Sequence, residues 1–478
     1  MPNVLRSIPS VSELLESPPL KSLVQRVNRN VVVTGIRQFL DDMRVQVQSA
    51  AANVHVPAPA DLAQRIADWI ATDQKSAILP VVNATGIVLH HRLGNAPLAD
   101  EAIQAIAATA RGYANVELDL KTGESCQRLE AVESLLVKLS GAEAATVVNT
   151  HAAAVWLALA ALARGREVVV SRGQLVEIEH SFRLPEIIAA SGAALREVGT
   201  INITRAADYA AAITHQTAAL MRVHASNCEM TGDCEHVALP DLVALGRKHD
   251  LPVIDDIGSG GLLDFSRYGV KSEPIVGARI RAGADLVIFS GEKLLGGPQC
   301  GVIAGRRSFI QSIASHPLMR ALEIDKFTLA SLAATLQLYQ DLELAERAVP
   351  VVSLLATSLE NLRQRAERLA PQMAAAGVAT VEVVACESHI LGTSLATQTV
   401  PSVCLALVPT ARTVEQLAAA LRSGNPAVVG RVHEGNLLLD LRSVQPRDDM
   451  QLVAAVEALK PKPNSSPAQN ACVGPAID

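Results

Sequence analysis

Between residues 78 and 335, short β-branched runs alternate with longer amphipathic stretches, and this alternation constrains the fold more than any other feature of the sequence. The runs that predict strands lie at 145–149, 167–170, 218–223, 252–255 and 285–290. Short strands separated by helices of about ten or more residues are typical of a doubly wound, mostly parallel α/β sheet. Such sheets bind ligands at the carboxyl ends of their strands. We therefore predict a large ligand-binding α/β domain over residues 78–335.

The segment before this domain, residues 1–77, is helical in pattern. Ser10 and Ser12 stand near the start of a short apolar stretch and are candidate helix caps. From Ile36 onwards, apolar residues repeat at three- and four-residue spacing, as on one face of a helix. Residues 1–77 are therefore predicted to form an N-terminal helical domain.

The segment after the large domain, residues 336–462, predicts a smaller α+β domain. One long helix is expected over 349–375, followed by strands at 381–384, 403–408 and 437–441. The tail, 463–478, is rich in Pro, Ser and Asn and is predicted to be disordered.

Composition and charge exclude several classes of protein. Hydrophobic residues make up 49% of the chain, which argues against a disordered or fibrous protein. The net charge of -6 provides no global basic field for nucleic acid, although a local basic patch is compatible with it. The seven cysteines are scattered without a C-x-x-C pair, which indicates reduced thiols rather than a disulfide frame or a zinc site.

Targeting signals are also missing from the sequence. The first residues lack the apolar core of a secretion signal. The longest apolar run, 152–163, is shorter than the roughly 20 residues that a membrane span needs. We therefore expect a cytoplasmic protein that does not associate with membranes.

A lysine stands in an unusual setting at residues 289–299, where a strand runs into a small-residue turn and then into Gly296-Gly297-Pro298. A lysine that forms a Schiff base must be held rigidly and partly desolvated, so that its amine is neutral near pH 7. A strand-end turn at a ligand crevice provides both conditions. Lys293 is the candidate, and a surface lysine beside a glycine turn is the alternative.

Two further segments complete a cofactor pattern. Residues 252–260 are an aliphatic strand ending in Asp256 and then Gly-Ser-Gly; an aspartate in this position bonds the pyridine nitrogen of pyridoxal 5′-phosphate (PLP) in PLP enzymes. Asn149, Thr150 and His151 lie where a strand leads into an Ala-rich helix, whose amino-terminal amides suit a phosphate. Each segment alone could be an ordinary capped turn. In the order phosphate turn, aspartate, lysine, they predict the aspartate-aminotransferase-like PLP fold, fold type I.

With these motifs, the sequence resembles one family closely, the bacterial selenocysteine synthases, or L-seryl-tRNA(Sec) selenium transferases. Matching stretches lie at 82–90, 169–178, 181–185, 223–227, 256–260, 290–299, 325–330 and 429–442. The most specific is Ser-Gly-Glu-Lys-Leu-Leu-Gly-Gly-Pro-Gln at 290–299. The resemblance adds Ser290, Ser226 and Asn227 to the cofactor-binding candidates. Residues 5–15 are similar to the start of the family's N-terminal helical domain.

The resemblance implies a reaction and a set of partners. Lys293 would carry PLP, give way to the amine of seryl-tRNA(Sec), and shuttle protons while the seryl hydroxyl leaves. Selenide from selenophosphate would then add. The helical domain over residues 1–77 would bind the tRNA, and the family's ring of dimers implies a homo-oligomer.

Several positions depart from the family pattern where an anionic selenium donor is expected. Asn95 replaces an arginine that the family uses for the donor phosphate, and Glu323 reverses the charge of another. Of two neighbouring family arginines, only Arg128 is kept. Losing a bidentate arginine and gaining a carboxylate costs on the order of several kcal/mol of phosphate binding. The donor-pocket candidates are Arg92, Asn95, Arg128, Arg172, Arg320 and Glu323.

The sequence leaves three hypotheses open. The first is a selenocysteine synthase with a modified donor pocket, in which Arg92, Arg128 and Arg320 compensate. The second is a related PLP lyase that acts by β-elimination or replacement on a small amino acid or amino-sugar acid. In that case His151, Glu179 and His180 are candidate pocket residues. The third is a non-catalytic RNA-binding or assembly protein, which gives no reason for Lys293 and Asp256 to be present.

Overall fold

A computed structural model describes residues 8–49, 57–73, 78–175, 177–178, 182–224, 228, 230–271, 273–391 and 398–460. The chain divides into two compact units, Met1–Pro80 and Val81–Asp478. Within the described ranges, no helix is both long and apolar enough to cross a membrane. The tail predicted to be disordered, 463–478, lies outside the described residues.

The described part of the first unit is helical. Its helices are α1 Val11–Leu15, α2 Pro18–Arg26, α3 Arg29–Ser49 and α4 Pro59–Asp73. The Oγ of Ser10 accepts a hydrogen bond from the Glu13 amide at 3.2 Å, so the capping predicted from the sequence starts the first helix. Apolar side chains from all four helices form one core, which includes Leu14, Leu20, Ile36, Leu40, Leu62, Ile66 and Ile70. This unit therefore has a hydrophobic core of its own.

The second unit contains strands and helices in alternation. Its described strands are β1 Val81–Ala84, β2 Ile87–Leu89, β3 Ala144–Val148, β4 Glu167–Ser171, β5 Glu177–Ile178, β6 Phe182–Arg183, β7 Ala194–Val198, β8 Thr217–Val223, β9 Val253–Gly258, β10 Leu286–Ser290, β11 Gly301–Gly305, β12 Ala379–Leu391, β13 Thr399–Pro409, β14 Ala427–His433 and β15 Asn436–Asp440. Its described helices are α5 Asp100–Ala110, α6 Glu130–Ser140, α7 His151–Leu162, α8 Leu184–Ala190, α9 Ala206–Ala212, α10 Leu239–His249, α11 Val276–Arg281, α12 Arg307–Ala314, α13 Met319–Leu322, α14 Lys326–Leu338, α15 Leu342–Ala348, α16 Pro350–Ala356, α17 Leu359–Ala374, α18 Val414–Arg422 and α19 Asp449–Glu457.

The larger sheet has seven strands in the order β3-β11-β10-β9-β8-β4-β7. Its neighbours run parallel except around β11, which is antiparallel to both β3 and β10. Alternate residues of β10 enter different cores: Val287 and Phe289 pack on one side, and Leu286 and Ile288 on the other. Burial on both faces explains why this strand reads as a continuous aliphatic run. The predicted mostly parallel α/β sheet is confirmed.

The second sheet has six strands in the order β1-β14-β15-β13-β12-β2. Two of its strands come from far upstream, because β1 pairs with β14 and β2 pairs with β12. Residues 81–89 therefore differ from the prediction, which assigned them to the large domain. Their pairing depends on strands about 300 residues downstream, which local sequence pattern does not reveal.

The predicted helix over 349–375 is wrong as a single element. The chain forms two helices, α16 and α17, separated at Thr357 and Ser358. The Oγ of Ser358 accepts a hydrogen bond from the Asn361 amide at 3.2 Å, which starts a new helix at this point. The predicted strand at 381–384 lies in the first half of the much longer β12, which pairs with β13 from Ala379 to His389.

Candidate active site

Asp256 lies at the carboxyl end of β9 and is 1% exposed. Its Oδ1 accepts hydrogen bonds from His151 Nε2 at 2.7 Å and from the Gly258 amide at 3.1 Å. Its Oδ2 is buried and has no hydrogen-bond partner among the described residues. A buried polar atom without a partner costs about 1–3 kcal/mol, and more when it is charged. This oxygen is therefore suited to accept a hydrogen bond from a bound ligand.

Lys293 lies in the turn between β10 and β11 and is 7% exposed. The turn is tied to the loop that follows Asp256, because the Leu294 amide donates to the Ser259 carbonyl at 2.9 Å. A Cβ at Gly291 would lie 2.4 Å from Cys300 Sγ, so the turn closes only around a glycine. The hydroxyl of Ser290, one residue earlier, is buried with no hydrogen-bond partner among the described residues. The lysine is thus held and largely desolvated, as Schiff-base chemistry requires.

The amino terminus of α7 is the third part of the site. The Oγ1 of Thr150 caps the helix by accepting from the Ala153 amide at 3.1 Å. The first amides of an α-helix have no intrahelical acceptor, so this end can bind an anion. A Cβ at Gly301 would lie 2.2 Å from the Thr150 carbonyl oxygen, so only glycine lets the turn pack on β11. The preceding residue, Asn149, is fixed by its amide, which donates to the Leu322 carbonyl at 2.9 Å.

Two residues near this site were missed in the sequence analysis. Phe182 packs against the ring of His151, with centroids 5.6 Å apart and planes tilted by 49°. His224 follows β8; its amide donates to the Asp256 carbonyl at 2.8 Å, and its Nε2 lies 3.8 Å from Glu273 Oε2. Both residues fall in stretches that match the family, but nothing in their local pattern distinguishes them from core residues.

These groups fit PLP. The unpartnered Asp256 oxygen matches a protonated pyridine nitrogen, the start of α7 matches a phosphate, and the buried Lys293 matches the aldehyde. The structure brings together His151 and Asp256, which stand 105 residues apart in the sequence. The predicted ligands Ser226 and Asn227, and the predicted pocket residues Glu179 and His180, lie outside the described residues.

Three donor-pocket candidates form one ion-pair cluster. Glu323 Oε1 lies 3.2 Å from a guanidinium nitrogen of Arg128, and Glu323 Oε2 accepts from Arg320 at 3.1 Å. Arg128 also bonds Glu117 Oε1 at 2.8 Å and the Ile324 carbonyl at 3.0 Å. Glu323, where the resemblance predicts a charge reversal, therefore pairs with two of the three arginines that were expected to compensate for it.

The other donor-pocket candidates have different surroundings. Arg172 donates from Nε to Glu197 Oε2 at 2.9 Å and is hydrogen-bonded to the Gly199 carbonyl. Arg92 is exposed in the turn after β2. In the same turn Asn95 takes a left-handed backbone with φ 61°, and its amide donates to the His90 carbonyl at 3.1 Å.

The turn that holds Arg92 and Asn95 is joined to the lysine turn. The Ala96 amide donates to the Glu292 carbonyl at 3.1 Å, one residue before Lys293. The position at which the family pattern has an arginine is therefore connected through the backbone to the catalytic lysine candidate.

Comparison of the sequence with models of protein families identifies the family to which the chain belongs. The profile described as L-seryl-tRNA selenium transferase matches residues 81–445, and the profile described as selenocysteine synthase N terminal matches residues 5–44. The chain belongs to the L-seryl-tRNA selenium transferase family. The resemblance inferred from residues 290–299 and the other matching stretches is thereby confirmed.

Relatives of this family align along nearly the whole chain. The L-seryl-tRNA(Sec) selenium transferase of Desulfomicrobium baculatum is 44% identical, over 96% of this chain and 99% of its own length. That of Moorella thermoacetica is 43% identical, over 96% and 97%. That of Geobacter sulfurreducens is 40% identical, over 95% and 99%.

A solved structure supports the fold. The structure of D-glucosaminate-6-phosphate ammonia-lyase is similar with a TM-score of 0.57, at 23% identity over 80% of this chain and 95% of that one. At this identity the likeness concerns the fold alone. The predicted aspartate-aminotransferase-like PLP fold of this family member is confirmed.

Proposed function

We propose that this protein is a PLP-dependent transferase that converts seryl-tRNA(Sec) to selenocysteinyl-tRNA(Sec). The observation that carries the proposal is the match to named selenium transferases over 95–96% of the chain, including the first unit. A lyase for a small amino acid needs no separate helical unit. This favours the transferase over the lyase, whose support here is limited to a shared fold.

The cofactor is PLP, and four groups would hold it. Lys293 would bind its aldehyde carbon, Asp256 its pyridine nitrogen, and the first turn of α7 together with Ser290 its phosphate. His151 would hold Asp256 in place through the 2.7 Å hydrogen bond. When bound, PLP supplies an electron sink that stabilises negative charge at the seryl Cα.

Lys293 would also move the protons. Its Nζ would take the proton from the seryl Cα and return one to the departing β-hydroxyl. Its position, buried in a turn fixed by Leu294 and Gly291, keeps the amine desolvated and aimed at a single place. The hydroxyl would leave as water, selenium from selenophosphate would then bond to Cβ while hydrolysis of its P–Se bond releases phosphate, and Nζ would return a proton to Cα.

The selenium donor would be selenophosphate, bound near the turn of Arg92 and Asn95 and the cluster of Arg128, Arg320 and Glu323. Family membership and the backbone link from Ala96 to Glu292 support this position. Since Glu323 pairs with both arginines, a donor phosphate would have to displace its carboxylate before it reaches them.

The assembly would be a homo-oligomer, as the family's ring of dimers suggests, with the first unit binding tRNA in the cytoplasm. Large apolar side chains support association: Tyr113 is fully exposed and Leu120 is 73% exposed. Leu120 also borders a cavity of about 520 Å³ beside Arg128.

The test is a direct comparison of substrates on the purified protein. Seryl-tRNA(Sec) with selenophosphate is expected to perturb the cofactor absorbance and to give selenocysteinyl-tRNA, detected by mass spectrometry after deacylation. Lys293→Ala is expected to abolish both responses, because no other amine replaces it in the buried turn. If only free amino acids or amino-sugar acids perturb the absorbance and release ammonia or a keto acid, the chain is a lyase and the proposal is wrong.

A further inference from the structure

Two cysteines and an aspartate lie together in the six-stranded sheet. Cys386 is on β12, Cys404 on β13 and Asp440 on β15. Cys404 pairs directly with Asp440, and its partner on β12, Val384, lies two residues from Cys386. Side chains of paired residues, and of residues two apart, point to the same face of a sheet. The three side chains therefore share one face although they are far apart in sequence, which is why cysteine spacing alone does not reveal them.

The distances within the trio suit a metal ion. One ligand atom from each of Cys386, Cys404 and Asp440 lies within 4.8 Å of the others. Cys386 Sγ is 3.5 Å from Asp440 Oδ2. Around a tetrahedral Zn²⁺, with Zn–S near 2.3 Å and Zn–O near 2.0 Å, a sulfur and an oxygen ligand stand about 3.5 Å apart and two sulfurs about 3.8 Å apart. The sulfur–oxygen pair already has this separation, and the remaining pairs need small side-chain movements.

The carboxylate is held as a metal ligand usually is. Asp440 is fully buried. Ser402 donates to its Oδ1 at 2.6 Å, Ser388 to its Oδ2 at 2.7 Å, and the Arg442 amide to its Oδ1 at 3.0 Å. Outer hydrogen bonds of this kind orient the ligating group. Each carboxylate oxygen has a second lone pair, so these bonds leave Oδ2 able to bind an ion.

The charges around the trio balance with a divalent cation. Arg431 lies 3.8 Å from Asp440 Oδ2 and 3.9 Å from Cys404 Sγ. Two thiolates and one carboxylate carry three negative charges, which Zn²⁺ and the guanidinium neutralise together. Without metal, the charges of Asp440 and Arg431 balance each other.

A disulfide between the two cysteines fits this geometry less well. Cys386 pairs with Ser402 and Cys404 with Val384, so the two cysteines are diagonal neighbours across the strands. Diagonal residues have Cα atoms about 7–8 Å apart, whereas disulfides need about 4.4–6.8 Å. A metal ion spans the diagonal without moving the backbone.

We propose that Cys386, Cys404 and Asp440 bind one Zn²⁺ ion, with water in the fourth position. Cys386 and Ser402 border a cavity of about 340 Å³, which gives water room beside the ion. On binding, Zn²⁺ replaces the two thiol protons, which pass to solvent, and no electron is transferred. The site ties β12, β13 and β15 together and is independent of the reaction proposed above.

The experiment uses the full-length, cofactor-loaded protein, produced without a metal-binding tag and kept under reducing conditions. After incubation with zinc and dialysis, elemental analysis is expected to give about one zinc per chain. Replacement by Co²⁺ is expected to give visible ligand-field bands and a thiolate-to-cobalt charge-transfer band in the difference spectrum. Cys386→Ser and Cys404→Ser are each expected to lower the zinc content at least about tenfold.

Cys234→Ser is the matched control, since it removes a partly buried thiol elsewhere and should leave the zinc content unchanged. Cofactor absorbance verifies that each variant is folded, and the cobalt spectrum of the unmodified protein does not depend on any variant. Zinc absent from the unmodified protein would overturn the proposal, and so would zinc retained by both cysteine variants. A Cys386–Cys404 disulfide found by mass spectrometry in the reduced protein would overturn it as well.

Discussion

At the scale of single residues, the two carboxylate oxygens of Asp256 differ in their surroundings. Oδ1 is hydrogen-bonded to His151 and Gly258, whereas Oδ2 has no hydrogen-bond partner among the described residues. Asp256→Asn removes the charge that keeps a pyridine nitrogen protonated. Turnover of seryl-tRNA is expected to fall about a hundredfold or more. Single-turnover rates measured with saturating PLP check this. His151→Asn keeps the Asp256 carboxylate but loses the 2.7 Å bond and the ring contact with Phe182, so it should lower turnover on the order of tenfold. Equal rates for Asp256→Asn and the unmodified protein would contradict the assignment.

The carboxylate of Glu323 competes with a bound anion for the guanidinium groups of Arg128 and Arg320. Glu323→Gln weakens its ion pairs with Arg128 and Arg320, which leaves both guanidinium groups freer for a phosphate. The KM for selenophosphate is expected to fall by roughly three- to tenfold, with a smaller change in kcat. Glu235→Gln is the matched control, because it releases Arg205, an exposed arginine that is not a donor-pocket candidate. A KM that rises in Glu323→Gln would mean that the carboxylate orders the donor site instead of competing for it.

Lys293 and Asp256 could be proposed from the sequence because each stands in a short segment whose composition suits its chemistry, and both are buried in the structure. Contacts between segments could not be inferred in the same way. The bond between His151 and Asp256 spans 105 positions, and the pairing of Glu323 with Arg128 depends on two loops meeting in space. The resemblance predicts a charge reversal at Glu323, but the sequence did not show which cations this carboxylate would pair with.

At the scale of elements, the packing of α7 on β11 depends on one glycine. A Cβ at Gly301 would lie 2.2 Å from the Thr150 carbonyl oxygen, which is backbone and cannot move aside easily. Gly301→Ala is expected to lower the free energy of unfolding by about 2–3 kcal/mol and to weaken PLP binding, since both elements must shift. Urea unfolding and cofactor titration measure the two effects. Gly112→Ala is the control, because no atom lies within 4 Å of the added methyl group. A Gly301→Ala protein as stable as the control would show that the two elements separate without cost.

His90, in the turn after β2, should make the free energy of unfolding depend on pH. Burial lowers the pKa of His90, and its Nδ1 is buried without a hydrogen-bond partner among the described residues. Below the unfolded pKa of about 6.5, the unfolded chain binds a proton that the folded chain does not, so stability falls as pH drops. The free energy of unfolding is expected to fall less in His90→Gln than in the unmodified protein between about pH 7.5 and about pH 5.5. Urea titrations at both pH values measure this, with His249→Gln as an exposed control. Parallel pH profiles for all three proteins would rule out His90 as the source.

Elements buried on both faces were the easiest to predict. The expected strand at 218–223 is β8, Thr217–Val223, because an unbroken aliphatic run must be covered on both sides. The position of β1 and the division between α16 and α17 were not foreseen. The first depends on a distant pairing with β14, and the second on a single capping serine within an otherwise helical pattern. Tertiary pairing and local capping override periodicity in such places.

At the scale of the whole molecule, the two units are distinguished by their cores. The first unit's core consists of residues such as Leu20, Ile36 and Leu62, all before residue 81. The proposed cofactor residues Lys293 and Asp256 are buried in the second unit, next to the core residues Leu294 and Ile257. Because each unit buries its own apolar side chains, each satisfies the main requirement for folding separately. The division of labour proposed above, with tRNA binding in one unit and chemistry in the other, can therefore be tested by separating them.

A chain that begins at residue 78 keeps β1 and the whole second unit. It is expected to fold and bind PLP with unchanged affinity, since the cofactor groups all lie in that unit. Its kcat/KM for seryl-tRNA is expected to fall on the order of 10²-fold, because a linked binding module is lost. Stopped-flow absorbance and an aminoacyl-tRNA product assay measure the two properties. Leu40→Asp in the full chain is the control: it places a charge in the first unit's core and should reproduce the loss without shortening the protein. If the shortened chain used seryl-tRNA as well as the full chain does, tRNA recognition would lie within residues 78–478, and the first unit would need another role.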